Sequence, residues 1–309
     1  MIHTFGYSPA TAAAIRWSRD HDIPLVIELV NTGATPYQYL PGLKRFSPYD
    51  LAHQSVIVAI SRDLGDLCQG LGLNENVWTR PNPVDTRKFE VSNNSDRLTA
   101  RQKISTASEN DILVVYVAKY LNRKKHSFLL EVLAKLPARF KLVLAGPALE
   151  DRDLVPGLKA DQIPMLKQRA NALGIGDRVE ITHGFVDMVE YLAAADVFCF
   201  PAQDEGMGTP LLEALSSGTP VVANADEPSF GEWIIDGENG YLAPLNAEQW
   251  ASAVQAAAEF GETQRKQISQ SVKARISSDV IDKQYLRLMN TLAETAPGQA
   301  VDVEQALSS

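Results

Sequence analysis

Two acids eight positions apart, Glu205 and Glu213, bracket the run EGMGTPLLE, and a cluster of cations, Lys119, Arg123, Lys124 and Lys125, lies upstream in AKYLNRKKH. Such acids and cations suit different parts of one ligand. Carboxylates accept hydrogen bonds from hydroxyl groups and repel phosphate; lysines near a helix N-terminus neutralise phosphate. A molecule with both a diphosphate and many hydroxyls satisfies both demands, and a sugar nucleotide is one. The cation cluster precedes or opens a helix, where the dipole disfavours positive side chains by up to about 1 kcal/mol each. An anion at that helix end would explain them. Lys119 and Lys124 are assigned to the anion, Arg123 and Lys125 to the surface.

The acids need elements to hold them. In Glu205–Ala223, Thr209 reads as a helix cap and Pro210 as the first helical residue, where no N–H is needed. Gly218 reads as the left-handed stop, with Pro220 preventing continuation. Gly206 and Gly208 would let the backbone approach a ligand. From residue 111 onward, apolar strands alternate with amphipathic helices: ILVVYV, KLVLAG, VEIT, VFCFPA, PVVA and NGYLAP, with helical patterns that include a short one around PSFGEWII. That rhythm implies a parallel sheet covered on both faces, a complete Rossmann-like domain. Asn246 and Gln249 resemble a capping box for a helix with Trp250, Val254 and Ala257 on one face. In the order 3-2-1-4-5-6 the first and fourth strands are neighbours. Topology therefore brings Lys119 to Lys125 opposite Glu205 to Thr209.

Residues 1–100 show about three strands, fewer than a full α/β domain. The segment WTRPNPVDTRKF reads as extended, RDLGDLCQGLGL as a helix ending near Gly70 or Gly72, and EVSNNSDRLTAR as a polar lead into the second domain. The expected organisation is a partial N-terminal domain over 1–105, a ligand-binding domain over 106–277, a helix over 278–296 striped by Ile281, Tyr285, Leu288 and Leu292, and a frayed tail over 297–309.

Composition narrows the classes. A chain of 309 residues has room for about two domains. A net charge of −9 argues against nucleic acid as a partner. No apolar run is long enough to span a bilayer. No signal-peptide pattern is visible at MIHTFGYSP, and Cys68 and Cys199 imply no disulfide framework, so a cytoplasmic setting is expected. The five histidines show no paired ligand spacing. Asp151-Arg152-Asp153 is formally a D-x-D, the type of pair that can hold a divalent ion, but reads as part of a solvated loop. Gly206-Met207-Gly208 with Asp226 further on leaves a dinucleotide-dependent dehydrogenase as a rival reading, although Leu211 stands at the third glycine position.

These residues resemble the retaining glycosyltransferases of family 4, the glycosyl transferases group 1, which have the GT-B fold. Glu205 and Glu213 match the family's E-x7-E signature within E-G-x-G-x-P-L-L-E-A, followed by G-T-P-V-V-A and DGENGYLAP; VAISRDL and PNPVDTRKF match the end of the family's first domain. The resemblance implies that Glu213 holds the ribose hydroxyls and Glu205 contacts the transferred sugar. The amides of Met207, Gly208 and Thr209 would cradle the diphosphate with Lys119 and Lys124, and Val186 would lie where the base is read. Lys119 departs from the family's arginine, keeping the charge but losing the bidentate fork. No metal or other cofactor is expected. The acceptor, whether glycan, lipid or small molecule, is open, and peripheral membrane contact is a further expectation. The family's N-terminal glycine loop is absent, Val30 stands where a histidine is often found, and the acceptor-side domain reads as truncated. That leaves a non-catalytic or fragmentary nucleotide-sugar-binding remnant as the alternative function.

Overall fold

The computed structural model describes residues 1–6, 9–30, 55–70, 76–148, 163–296, 299 and 301–308. In chain order the first elements are β1 (Ile2–Phe5), α1 (Pro9–His21), β2 (Leu25–Leu29), β3 (Ser55–Ala59), α2 (Arg62–Gly70) and β4 (Val77–Thr79). Next come α3 (Asn94–Ile104), β5 (Ile112–Val117), α4 (His126–Lys135), β6 (Phe140–Gly146), α5 (Ile163–Ala172), β7 (Val179–His183), α6 (Met188–Ala194) and β8 (Val197–Phe200). The last are α7 (Thr209–Ser216), β9 (Val221–Asn224), β10 (Gly240–Ala243), α8 (Ala247–Ala258), α9 (Glu262–Ile276), α10 (Ser278–Glu294) and α11 (Val303–Ser308). The chain forms two compact units. One comprises Met1–Val84, Asp204–Gly208 and Arg275–Ser309; the other Asp85–Gln203 and Thr209–Ala274.

The second unit carries a six-stranded parallel sheet in the order β10-β9-β8-β5-β6-β7. This is the doubly wound arrangement expected from the alternating pattern, with Val114 opposite Val197 and Val115 opposite Phe198 where β5 meets β8. Its inner strands β5, β6, β8 and β9 are mostly buried because both faces are covered, which is why they read as apolar runs. Full burial of each such side chain favours folding by roughly 1.5–3 kcal/mol. Asn246 caps α8 by accepting from the amides of Glu248 and Gln249, and Trp250, Val254 and Ala257 are buried. Trp250 Nε1 donates to the Ala243 carbonyl at 3.1 Å, fixing that helix against β10. The helix expected around PSFGEWII is only a 3-10 turn over Pro228–Phe230.

The boundary between units falls before the expected position at residue 105. The polar segment read as a lead-in is helix α3, capped by Asn93, whose side chain accepts from the Asp96 amide. Arg97 Nη2 pairs with Asp196 Oδ1 at 2.7 Å and Arg101 pairs with the other carboxylate oxygen, so α3 belongs with the second unit. Its buried side includes Arg101 beside Ala100 and Ile104. An ionic anchor leaves no hydrophobic stripe to read.

The first unit has a four-stranded parallel sheet, β1-β2-β3-β4, one strand more than expected, because Val77–Thr79 within the extended WTRPNP segment pairs with β3. Ile281, Leu288 and Leu292 of α10 pack against Val26, Val56, Val58 and Trp78, with Tyr285 partly buried beside them. The tail is not frayed where it is described. Val301, Val303 and Ala306 join the same core, and α11 forms over them. Three apolar residues in so short a stretch give too little periodicity to reveal a helix. Glu28 is buried at the end of β2, where Arg80 and the Tyr285 hydroxyl both donate to its Oε1.

Candidate functional site

The carboxyl ends of β5 and β8 lie side by side, and the loops that leave them are bonded together. The Gln203 amide donates to the Arg123 carbonyl at 2.9 Å, and Arg123 Nη1 reaches the Gln203 carbonyl at 3.4 Å. The Tyr116 hydroxyl, from within β5, donates to the Lys124 carbonyl at 2.8 Å, holding the turn over Asn122–Lys124. Lys124 Nζ lies 5.5 Å from the centre of the Phe200 ring, the last residue of β8. A cation over an aromatic face is stabilised by roughly 0.5–1 kcal/mol or more. Lys119 is exposed two residues beyond β5. Lys125 takes a left-handed conformation, φ 57°, immediately before α4. The basic loop therefore meets the exit of β8 at Gln203, just before the Glu205 to Thr209 run expected to lie opposite it.

Helix α7 starts from this same edge. Its first residue is Thr209, which places Pro210 in its first turn rather than after a separate cap. It stops as the pattern indicated. Gly218 has φ +71°, its amide donates to Leu215, and the Thr219 amide donates to Ala214 at 2.9 Å, a paired left-handed closure. Any Cβ at Gly218 would stand 2.4 Å from the Arg265 carbonyl oxygen. Glu213 lies in the middle of α7, half-buried. Burial pushes its carboxyl up to about 7, against the opposing pull of Lys88. A carboxylate held so near neutrality gains from any ligand hydroxyl that donates to its charged form.

Residues Asp204–Gly208 belong with the first unit, and the chain itself joins them to Gln203 and Thr209 of the second. Asp204 and Gly208 both have positive φ, 56° and 75°, in the loop that leads into α7. At Gly208 a side chain would be strained. Gly206, Met207 and Gly208 are buried and Glu205 half-buried. Val186 follows β7, half-buried, beside Phe185, which is 93% exposed. Asp226 is exposed after β9.

Two charged residues were not assigned from the sequence. Asp187 caps α6 by accepting from the Val189 amide, and Lys88 Nζ stands 3.8 Å from its carboxylate. The Lys88 charge also acts on Glu213. Lys88 lies within PNPVDTRKF, a segment read as extended and as matching the end of the family's first domain, with no role given to the lysine. The D-x-D at 151–153, His53 and Gly72 lie outside the described residues. Burial pushes the Cys68 thiol up to about 12 and raises that of Cys199, as befits core thiols. Among the described residues no helix is long and apolar enough to cross a membrane.

The profile of the glycosyl transferases group 1 matches residues 99–274, more than half of the chain. The chain belongs to this family. The match covers nearly all of the second unit, including the basic loop and Glu213, and it sets the dehydrogenase reading aside. One relative is the lipopolysaccharide core biosynthesis glycosyltransferase LpsE of Rhizobium meliloti, 30% identical over 197 residues, which are 61% of this chain and 52% of LpsE. The chain spans about half the length of the curated relatives it matches, or less. Two solved structures share the fold. Sucrose-phosphate synthase from Thermosynechococcus elongatus is 20% identical with TM-score 0.78, over 96% of this chain and 74% of that one. HepE of Anabaena, in complex with UDP and glucose, is 20% identical with TM-score 0.72, over 92% and 82%. These likenesses establish two GT-B-type Rossmann-like α/β units for this member of the glycosyl transferases group 1.

Proposed function

We propose that the protein is a glycosyltransferase that moves a sugar from a nucleotide-diphosphate sugar to an acceptor with retention of anomeric configuration. The observation that carries this reading is the carboxyl edge of the second unit. There the β5 loop with Lys124 is bonded to the exit of β8, and α7 follows with a half-buried Glu213. Lys119, Lys124 and the amides of Met207, Gly208 and Thr209 take the diphosphate. Their charge stabilises the leaving group as the bond to the sugar breaks, a role that places no demand on a metal. Glu213 accepts the ribose hydroxyls, Val186 lies beside the base, and Glu205 contacts the transferred sugar. The acceptor is a glycan, a lipid or a small molecule, met in the cytoplasm or at a membrane surface.

The reading is tested by incubating the protein with radiolabelled UDP-glucose, GDP-mannose and ADP-glucose and a panel of acceptors. One of them is expected to be turned over, by transfer or slow hydrolysis, with the anomeric configuration kept. Glu213→Gln is expected to weaken that donor by about 1.5–3 kcal/mol, through lost hydrogen bonds to a charged acceptor. Tight donor binding without any turnover would make the protein a nucleotide-sugar-binding remnant. Absence of binding to every donor would refute both.

A further inference from the structure

Lys88 and Glu213 come from distant parts of the chain, and a buried hydrogen bond sets their meeting. Ser216 is fully buried on α7, and its hydroxyl donates to the Phe89 carbonyl at 2.8 Å. Glu213 lies three residues earlier and therefore on the same side of the helix. The residue before Phe89 is thereby brought alongside Glu213. Lys88 reaches outward from there, its Nζ 5.8 Å from the Phe89 ring centre and 3.8 Å from Asp187 Oδ1, next to Val186.

We propose that Lys88 is a positioning residue for the donor: its neighbour Phe89 is tied to α7 by the Ser216 bond, which sets Lys88 on the Glu213 side of that helix, where its charge helps ready the carboxylate for the ribose hydroxyls. This rests on the donor reading of Glu213. The surroundings leave the task to Lys88. Glu213 is the only titratable side chain of α7. The strands packed beneath, β8 and β9, read VFCF and VVAN; burial keeps the Cys199 thiol neutral. Arg265 lies against Gly218 only through its carbonyl and turns its guanidinium to the Ala195 and Asp196 carbonyls. Asp187, at the start of α6, pairs with the same lysine. The Lys88–Asp187 pair itself is more than half exposed on both sides, so it adds little to folding.

The test compares Lys88→Ala, Lys88→Arg and Glu213→Gln with the unaltered chain. Carboxyl-carbon NMR on glutamate-labelled protein, with Glu213 assigned by its loss in Glu213→Gln, follows the titration without ligand. Calorimetry with the donor that binds best among UDP-glucose, GDP-mannose and ADP-glucose follows affinity from pH 6 to 9; the diphosphate does not titrate in that range, and the same titration with ADP-glucose, whose base has no acidic ring N–H, controls for ionisation of uracil or guanine toward pH 9. In Lys88→Ala the Glu213 midpoint is expected to rise. Donor affinity at pH 6.5 is expected to fall about three- to tenfold and to approach that of the unaltered chain by pH 9, a shift of about half to one pKa unit. Lys88→Arg is expected to restore both. An unmoved midpoint in Lys88→Ala, or a loss of affinity equal at every pH, would overturn the role of Lys88. Unchanged donor affinity in Glu213→Gln would instead overturn the ribose role of Glu213, whatever Lys88 does to its titration.

Discussion

The two units anchor a charged carboxylate differently. In the second, Asp196 stands before β8 and gathers Arg97, Arg101 and the Leu113 amide, so the charge ties helix α3 to the sheet edge. In the first, Glu28 sits at the carboxyl end of its strand with Arg80 and the Tyr285 hydroxyl, tying α10 to the sheet. The second unit keeps its ionic anchor at the amino end of its strands and leaves the carboxyl edge free for the basic loop, α7 and Glu213. The first places its anchor on the edge where ligands meet open α/β sheets, and it exposes Phe5 at 65% and Trp17 at 55%. Equivalent architecture carries the basic loop and Glu213 at the carboxyl edge of one unit and, among the described residues, an internal anchor at the corresponding edge of the other.

The largest expected effects come from breaking the anchors. Asp196→Ala strands two arginines and should cost about 3–5 kcal/mol, and Glu28→Ala should cost a similar amount. Hydrogen exchange separates them: Asp196→Ala should speed exchange in β5 and β8, Glu28→Ala in β2 and β3. Equal acceleration everywhere in both variants would erase the distinction between the units. A smaller effect comes from Glu213, whose folded-state value is raised. Stability contributed by its protonated form is complete below its unfolded value, declines as pH rises, and is lost above about 7. Glu213→Gln should therefore be more stable than the unaltered chain at pH 8.5, by up to about 3 kcal/mol, and unfold at a higher temperature, with the gap closing toward pH 4. No gap at pH 8.5 would mean that the carboxylate is not held out of water.

The second unit was the more legible one, for reasons visible in particular residues. ILVVYV and VFCF had to be central strands, because only a sheet covered on both faces buries such runs. Gly218 before Thr219-Pro220 marked the end of α7, and Asn246 the start of α8. The adjacency of β5 and β8 followed from strand order, and with it the place of Lys124. What stayed hidden depended on contacts between distant residues. Helix α3 is anchored by salt bridges, α11 by three apolar residues docking on α10, and Lys88 is brought to Glu213 by a serine on another element. None of these leaves a local period in the chain.

Calorimetry of donor binding at pH 7, repeated in buffers of different ionisation enthalpy, measures the protons exchanged on binding and so addresses the central claim most directly. Glu213, whose carboxyl burial pushes up to about 7, should release a fraction of a proton per donor as the ribose hydroxyls select its charged form, and Glu213→Gln should release none. Tight binding with no proton release from the unaltered chain, or the same release from Glu213→Gln, would contradict it.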